Sequence, residues 1–259
     1  MIKESDKFIS SNVFEGMTSI SALIKSILRG TNDRKIIKIL FDKNKSNSKR
    51  KELDFLKSLA PTLNYDIELC DSTVLSELAV GNSHGGIIAI CSGRIIQNLS
   101  DSNVISNGAY YMLDGVEDPY NFGNAIRSLY ASGSDGIVMS RRNWMGAAGV
   151  VARASAGTSE LINMYETDDC ADAIAYFKER GYTVVCAGIR DSVNLFDADL
   201  KKPLFIIIGG EKRGISRKIL DMADNVVRIE YGNDFRGSLS TSAAAAVIGF
   251  EVCKKNQNL

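Results

Sequence analysis

The sequence predicts an α/β protein of two domains, the second built on a mostly parallel sheet with helices on both faces. Three observations predict it. Apolar runs of strand length alternate with helically spaced segments along most of the 259 residues. A polar stretch rich in Ser and Asn, Gln97–Gly108 (QNLSDSNVISNG), interrupts that alternation. In the second half, turns rich in small residues follow three of the apolar runs, where ligands of parallel sheets bind. The expected organisation is a smaller α/β domain over residues 1–98, a linker over 99–108, and the larger domain over 109–259.

The elements follow in order. Met17–Leu28 has helical spacing; Ile36–Phe41 reads as a strand, Ser48–Ala60 as a helix and Tyr65–Cys70 as a strand. Asp71 is placed to cap a helix through Val80, and Gly86–Cys91 forms another buried strand. Beyond the linker come strand Tyr110–Asp114, helix Phe122–Ser132, strand Gly136–Ser140 and helix Ala147–Ala154. Strand Leu161–Tyr165 precedes helix Asp168–Arg180, which Gly181 stops. Strands Thr183–Ala187 and Leu204–Ile208, a short helix from Ser216, strand Asn225–Ile229 and a helix from Ser240 to Lys254 complete the chain.

Composition narrows the chemistry. The longest strongly apolar stretches, Leu204–Ile208 and Ala243–Phe250, fall short of the ~18 residues a membrane span needs. The opening MIKESDKFIS lacks the apolar segment of a secretory signal. Five scattered cysteines without a CxxC pair suit a reducing cytoplasm and argue against a disulfide framework or zinc site. With His84 as the single histidine, a centre built on several imidazoles is excluded within one chain. No metal is expected, and the chemistry falls to Arg, Asn, Glu, Ser, backbone groups or a cofactor.

The 31 basic and 31 acidic side chains are unevenly distributed. Residues 1–60 carry 13 basic and 7 acidic side chains, a net of +6, and the remainder therefore carries −6. The cations concentrate in Arg34-Lys35 and Lys49-Arg50-Lys51, with Lys38, Lys43 and Lys45 between them. Such a cluster is either a solvated face or a phosphate-binding patch.

Three loops stand out as carriers of chemistry. After Tyr110–Asp114 comes EDPYNFGNAIR, in which Pro119 and Asn121 suit a helix entry and Arg127 follows one and a half turns later. After Leu204–Ile208 comes GGEKRGIS; Ile215-Ser216 stands where a nucleotide phosphate loop needs Lys then Ser or Thr, so NTP hydrolysis is rejected. No G-x-G-x-x-G follows a strand, which leaves a dinucleotide enzyme unsupported. After Asn225–Ile229 comes EYGNDFRGSLSTS, whose small residues allow close backbone approach and whose hydroxyls can cap a helix.

Taken together, these loops resemble the three signature motifs of the SpoU (TrmH) family of RNA 2′-O-ribose methyltransferases, of the SPOUT class. The first motif matches at Asp118-Pro119, Asn121, Gly123 and Arg127, and the second at Gly209, Glu211 and Gly214. The third resembles Ile-Pro-Met…Ser-Leu-Asn-x-Ser at Ile229…Ser238-Leu239-Ser240-Thr241-Ser242. It departs from that pattern at Glu230 in place of Pro, at Ser240 in place of Asn, and by one extra residue before Ser238. The similarity covers roughly 109–259, with a fainter echo in Ser83-His84-Gly85-Gly86-Ile87-Ile88-Ala89 of the segment that closes the family's N-terminal substrate-binding domain.

The resemblance implies a trefoil knot in the C-terminal domain, a homodimer, and S-adenosylmethionine as methyl donor. It implies 2′-O-methylation of a structured RNA, ribosomal rather than transfer RNA because an N-terminal domain is present. Arg127 is the expected activator of the ribose hydroxyl, with Asn121, Glu211 and Ser238 completing the catalytic set. Gly209, Ile229 and Leu239 are expected to grip the cofactor through backbone groups, joined by Ala187, Gly214 and Ser240. Arg34, Lys35, Lys49, Arg50 and Lys51 are the expected RNA contacts. His84 reads as structural, and Trp144 beside Arg141-Arg142 as a packing residue or a stacking surface for a base. Competing readings are a transfer-RNA methyltransferase, an RNA-binding relative that has lost catalysis at Glu230 and Ser240, and a methyltransferase of small molecules or proteins.

Overall fold

The structure, a computed structural model, describes residues 12–80, 84–140 and 147–257. Arg141, Arg142 and Trp144 fall outside the described residues, as does Ser83. The chain forms two compact units: residues 1–95 with 143–161, and residues 96–142 with 162–259.

The first unit contains strands β1 (Val13–Glu15), β2 (Ile36–Asp42), β3 (Asp66–Cys70) and β4 (Ile87–Cys91) in the order β1-β4-β2-β3. Its sheet is mixed: β4 runs antiparallel to both β1 and β2, whereas β2 and β3 are parallel. Helices α1 (Gly16–Leu28), α2 (Arg50–Leu63) and α3 (Ser72–Leu78) connect these strands. Phe14, Ile20, Leu23, Ile39, Phe41, Leu56, Ile87 and Ala89 form the main core. The short strand β1 escaped the sequence reading because three residues show too little alternation.

Helices α4 (Pro119–Ala131), α5 (Ala148–Ala154) and α6 (Thr158–Leu161) follow along the chain. The sequence placed 143–161 in the larger domain, yet these residues cluster with the first unit. The reason is packing. Ala152 belongs to the first unit's core, and a Cβ at Gly157 (φ +83°) would lie 2.5 Å from Cβ of Ala22 on α1. The predicted strand Leu161–Tyr165 also shifts. The chain first closes the single turn α6, with Ser159 N–H donating to Oγ of Ser155, and pairs only from Met164 onward.

The second unit is an eight-stranded sheet in which every described pairing is parallel. Its strands are β5 (Gln97–Asn98), β6 (Ala109–Asp114), β7 (Gly136–Ser140), β8 (Met164–Thr167), β9 (Thr183–Ala187), β10 (Val193–Asn194), β11 (Leu204–Gly209) and β12 (Asn225–Arg228). The order is β10-β12-β9-β11-β6-β7-β8-β5. Helices α7 (Cys170–Glu179), α8 (Arg217–Leu220) and α9 (Thr241–Asn256) complete it.

Side-chain alternation divides the core between the two faces of this sheet. Tyr110, Met112, Val184, Phe205 and Ile207 join Ile174 and Phe177 of α7 on one face. The intervening Tyr111, Leu113, Ile206 and Ile208 are also buried, and α4 and α9 pack on each other, with α9 reaching β11. Because β11 inserts between β6 and β9, their carboxyl ends and the loops that follow converge at the crossover.

Candidate functional site

The first loop leaves β6 at Asp114 and enters α4 at Pro119, whose fixed φ suits the first helical position. Asp118 is the N-cap: its Oδ1 accepts from Asn121 N–H at 2.8 Å. Asn121 is thereby held at the helix entrance with its side-chain amide outward.

The second loop leaves β11 through Gly209 and Gly210. Gly210 N–H donates to Asp114 O at 2.7 Å, and a Cβ at Gly210 would sit 2.4 Å from Gly115 O. Only glycine permits that crossing of two backbones. Glu211 follows, and its Oε1 accepts from Asn121 Nδ2 at 2.9 Å and from Thr241 N–H at 3.1 Å. One carboxylate oxygen therefore joins all three loops.

The third loop ends at helix α9. Thr241 Oγ1 donates to Gly209 O at 3.1 Å, a second tie between the second and third loops. Ser240 is the N-cap, its Oγ accepting from Ala243 N–H at 3.2 Å. Ser and Asn are comparable caps, so the departure at Ser240 keeps this role. Glu230 also acquires a function: its Oε2 accepts from Asn194 Nδ2 at 2.6 Å, which fastens the start of the loop to β10.

The second and third loops, with the turn after β9, surround a cavity of about 900 Å³. Ala187, Gly209, Glu211, Gly214, Ile229, Ser238 and Leu239 all line it. Its walls combine Ile208, Ile215, Leu220, Val227 and Ile248 with the backbone of the glycine-rich turns. Apolar walls with a few backbone donors and acceptors suit a flat heteroaromatic ligand that is read along its polar edge. Ser240 lies just outside the lining and acts through the helix cap.

Arg127 is exposed on α4 and makes no hydrogen bond or ion pair among the described residues; neither it nor Asn121 lines the cavity. Cys186, at the end of β9, has its thiol pushed up to about 12, first by burial and then by the charge of Asp114. Burial pushes the neighbouring Cys170 thiol up as well. Neither thiol is a nucleophile at neutral pH. Among the described residues, no group of three or more His, Cys, Asp or Glu is placed to hold a metal ion.

The basic cluster divides in the first unit. Arg34 is only 4% exposed and is not a surface phosphate contact. Its Nε donates to Glu160 at 3.0 Å, its Nη1 donates to Asn12 Oδ1 and Ser92 O, and its guanidinium lies over the Phe14 ring. Sequence adjacency to Lys35 concealed this, because successive residues of an extended segment face opposite ways. Lys35, Arg50 and Lys51 are exposed, and Lys49 is half-buried with its ammonium beside Gly85. His84 Nδ1 accepts from Gly86 N–H at 3.1 Å and shapes that turn.

Sequence reasoning missed Thr241 as the tie among loops and Tyr231, whose hydroxyl accepts from Leu239 N–H at 3.2 Å. Thr241 follows the motif's Ser-Leu pair, but a threonine at a helix entrance carries no sequence mark of a long-range partner.

Comparison with known proteins places these features in a family. The model of the SpoU rRNA methylase family matches residues 109–250. The 23S rRNA (guanosine-2′-O-)-methyltransferase RlmB of Shewanella oneidensis is 28% identical over 196 residues, 74% of this chain and 79% of that protein. A TrmH-family tRNA/rRNA methyltransferase of Staphylococcus haemolyticus is 31% identical over 183 residues, 68% of this chain and 72% of that one. The structure is similar to that of an AdoMet-bound rRNA methyltransferase from Sinorhizobium meliloti, with TM-score 0.77, 20% identity, and 96% and 93% of the two chains covered.

Proposed function

The chain belongs to the SpoU rRNA methylase family, and from that premise we propose that it transfers a methyl group from S-adenosylmethionine to a ribose 2′-hydroxyl of structured RNA, ribosomal RNA first. The observation that carries this reading is the Glu211 carboxylate, which joins the three motif loops beside one cavity. The ribosomal target follows the RlmB relative. Glu230 and Ser240, the residues that invited a binder without catalysis, each have a structural duty, which supports the enzyme. The reading also includes a cytoplasmic homodimer with the family's knot.

The cavity fits the cofactor on the chemistry of its lining. Ile208, Val227 and Leu239 supply apolar surface for a purine, and Gly209, Gly214 and Ile229 lie on the same lining. When bound, the cofactor supplies an electrophilic methyl group on a sulfonium. Arg127 stays protonated, so it acts as an electrostatic activator, favouring negative charge on the 2′-oxygen or holding an adjacent phosphate. The proton leaving the hydroxyl passes to solvent, because a protonated guanidinium cannot take it. Asn121 is oriented by Glu211, and Ser238, whose hydroxyl has no partner among the described residues, lines the cavity. In the first unit, Lys49, Arg50 and Lys51 crowd the start of α2, where the helix dipole disfavours cations. Neutralisation by an RNA backbone offsets that cost.

The test uses labelled S-adenosylmethionine with ribosomal RNA, followed by digestion to nucleosides. Label is expected in one 2′-O-methyl nucleoside. Arg127→Ala should lower transfer by at least ~100-fold with cofactor affinity within about twofold. Transfer by that variant at the wild-type rate would overturn the mechanism; label that resists ribonuclease would overturn the substrate.

A further inference from the structure

Phe235 is 55% exposed and Ile189 is 85% exposed, both on the lining of the cavity described above. Phe235 is not loose: its ring lies 5.7 Å from that of Tyr231, and a Cβ at Gly237 would meet it at 2.5 Å. Tyr231 in turn accepts the Leu239 N–H, so the two rings are braced against the backbone that lines the cavity. Arg190, Arg213 and Arg236 line the same opening, are exposed, and make no ion pair or hydrogen bond among the described residues. An aromatic face held open to solvent among unpaired guanidinium groups matches the chemistry of an unpaired RNA strand, whose bases stack and whose phosphates are anionic.

We propose that Phe235, braced by Tyr231, is a stacking platform for an unpaired base of the RNA substrate, with Arg190, Arg213 and Arg236 holding the flanking phosphates. This rests on the RNA-methyltransferase reading of the site and specifies its substrate: the target ribose is presented from a single-stranded or splayed-out segment. The loop between β12 and α9 carries both Phe235 and Arg236.

The test measures binding by the full chain of a fluorescein-labelled oligouridylate of about twelve nucleotides, by anisotropy, with S-adenosylmethionine affinity measured by calorimetry. Phe235→Leu keeps apolar volume over Gly237 but loses the aromatic face; it should weaken RNA binding about tenfold. Phe235→Tyr should bind within about twofold of wild type, and all variants should keep cofactor affinity within that margin. Arg236→Ala should reduce the salt slope of binding by about one. Equal RNA binding by wild type and Phe235→Leu overturns the proposal. So does a parallel loss of cofactor affinity, which marks a structural ring, or a change in sedimenting mass, which marks a contact between copies. A wild type that binds through Phe235 yet transfers no methyl group defeats the enzyme reading and leaves the platform standing. A methylating wild type indifferent to Phe235→Leu defeats the platform alone.

Discussion

The side-chain amide of Asn121 donates to Glu211 at 2.9 Å across 90 residues of sequence, and the same carboxylate oxygen receives Thr241 N–H at 3.1 Å. Glu211 thus acts as the junction on which the shape of the cavity depends. Glu211→Ala is expected to leave the fold intact and to weaken S-adenosylmethionine binding about tenfold, because two charge-assisted hydrogen bonds are lost at an exposed position. Glu211→Gln, which keeps an acceptor oxygen, should lose less. Calorimetric titration of both variants checks the order; equal affinity in all three proteins would remove the junction role.

Gly210→Ala places a methyl group against Gly115 O, where the ideal Cβ is 2.4 Å away. Two backbones meet there, so relief requires the first and second loops to part. A stability loss of about 1–3 kcal/mol is expected, together with weaker cofactor binding. Urea denaturation and calorimetry measure the two effects, and an unchanged urea midpoint would mean that the loops separate freely.

Arg34 and Glu160 form a pair buried on both sides, 3.0 Å apart. Arg34→Met leaves the carboxylate buried with its cation removed and Asn32 Nδ2 as the remaining side-chain donor, for an expected loss of about 3–5 kcal/mol in urea denaturation. Arg34→Met combined with Glu160→Leu should recover most of it. The double variant should also bind RNA as wild type does; a loss of affinity there would return Arg34 to the interface.

Reversing Lys49, Arg50 and Lys51 to Glu should weaken RNA binding and flatten its dependence on salt, by about one unit of slope for each phosphate no longer neutralised. Arg50 and Lys51 are exposed and Lys49 is half-buried, so the variant should remain folded, as read by a cooperative melting transition. An unchanged salt slope would reduce the cluster to a solvated helix end.

Burial raises the thiol pKa of Cys91 and Cys186 to about 12 and raises those of Cys70 and Cys170. Raised values mean that the reactive thiolate is scarce in the folded protein at any ordinary pH, and access is blocked too. Cys253 is half-exposed. Maleimide at pH 8 should therefore label Cys253 alone until denaturant is added, as read by peptide mass. Rapid native labelling of Cys186 would contradict its burial at the end of β9.

Much of the fold was legible because its signals are local. The runs Tyr110–Leu113 and Leu204–Ile208 carry no charge and are buried throughout, as strands covered on both faces must be, and Asp118-Pro119 marks a helix start. The two-residue strands Gln97–Asn98 and Val193–Asn194 were not legible: they exist only because neighbouring strands offer free edges. Nor was the helical turn Thr158–Leu161, set by Ser155 and the close approach at Gly157 rather than by periodicity.

The sequence by itself determined the α/β class, the order of the three loops and the residue types each one offers, since these depend on side-chain spacing along a few turns or strands. Tertiary structure alone decided which of those residues meet. The insertion of β11 between β6 and β9 brings Glu211 to Asn121 and Thr241, and burial converts Arg34 from an expected RNA contact into an internal ion pair. Such outcomes depend on contacts between residues far apart in the chain, where charge and polarity say what a side chain can do but not what will stand opposite it.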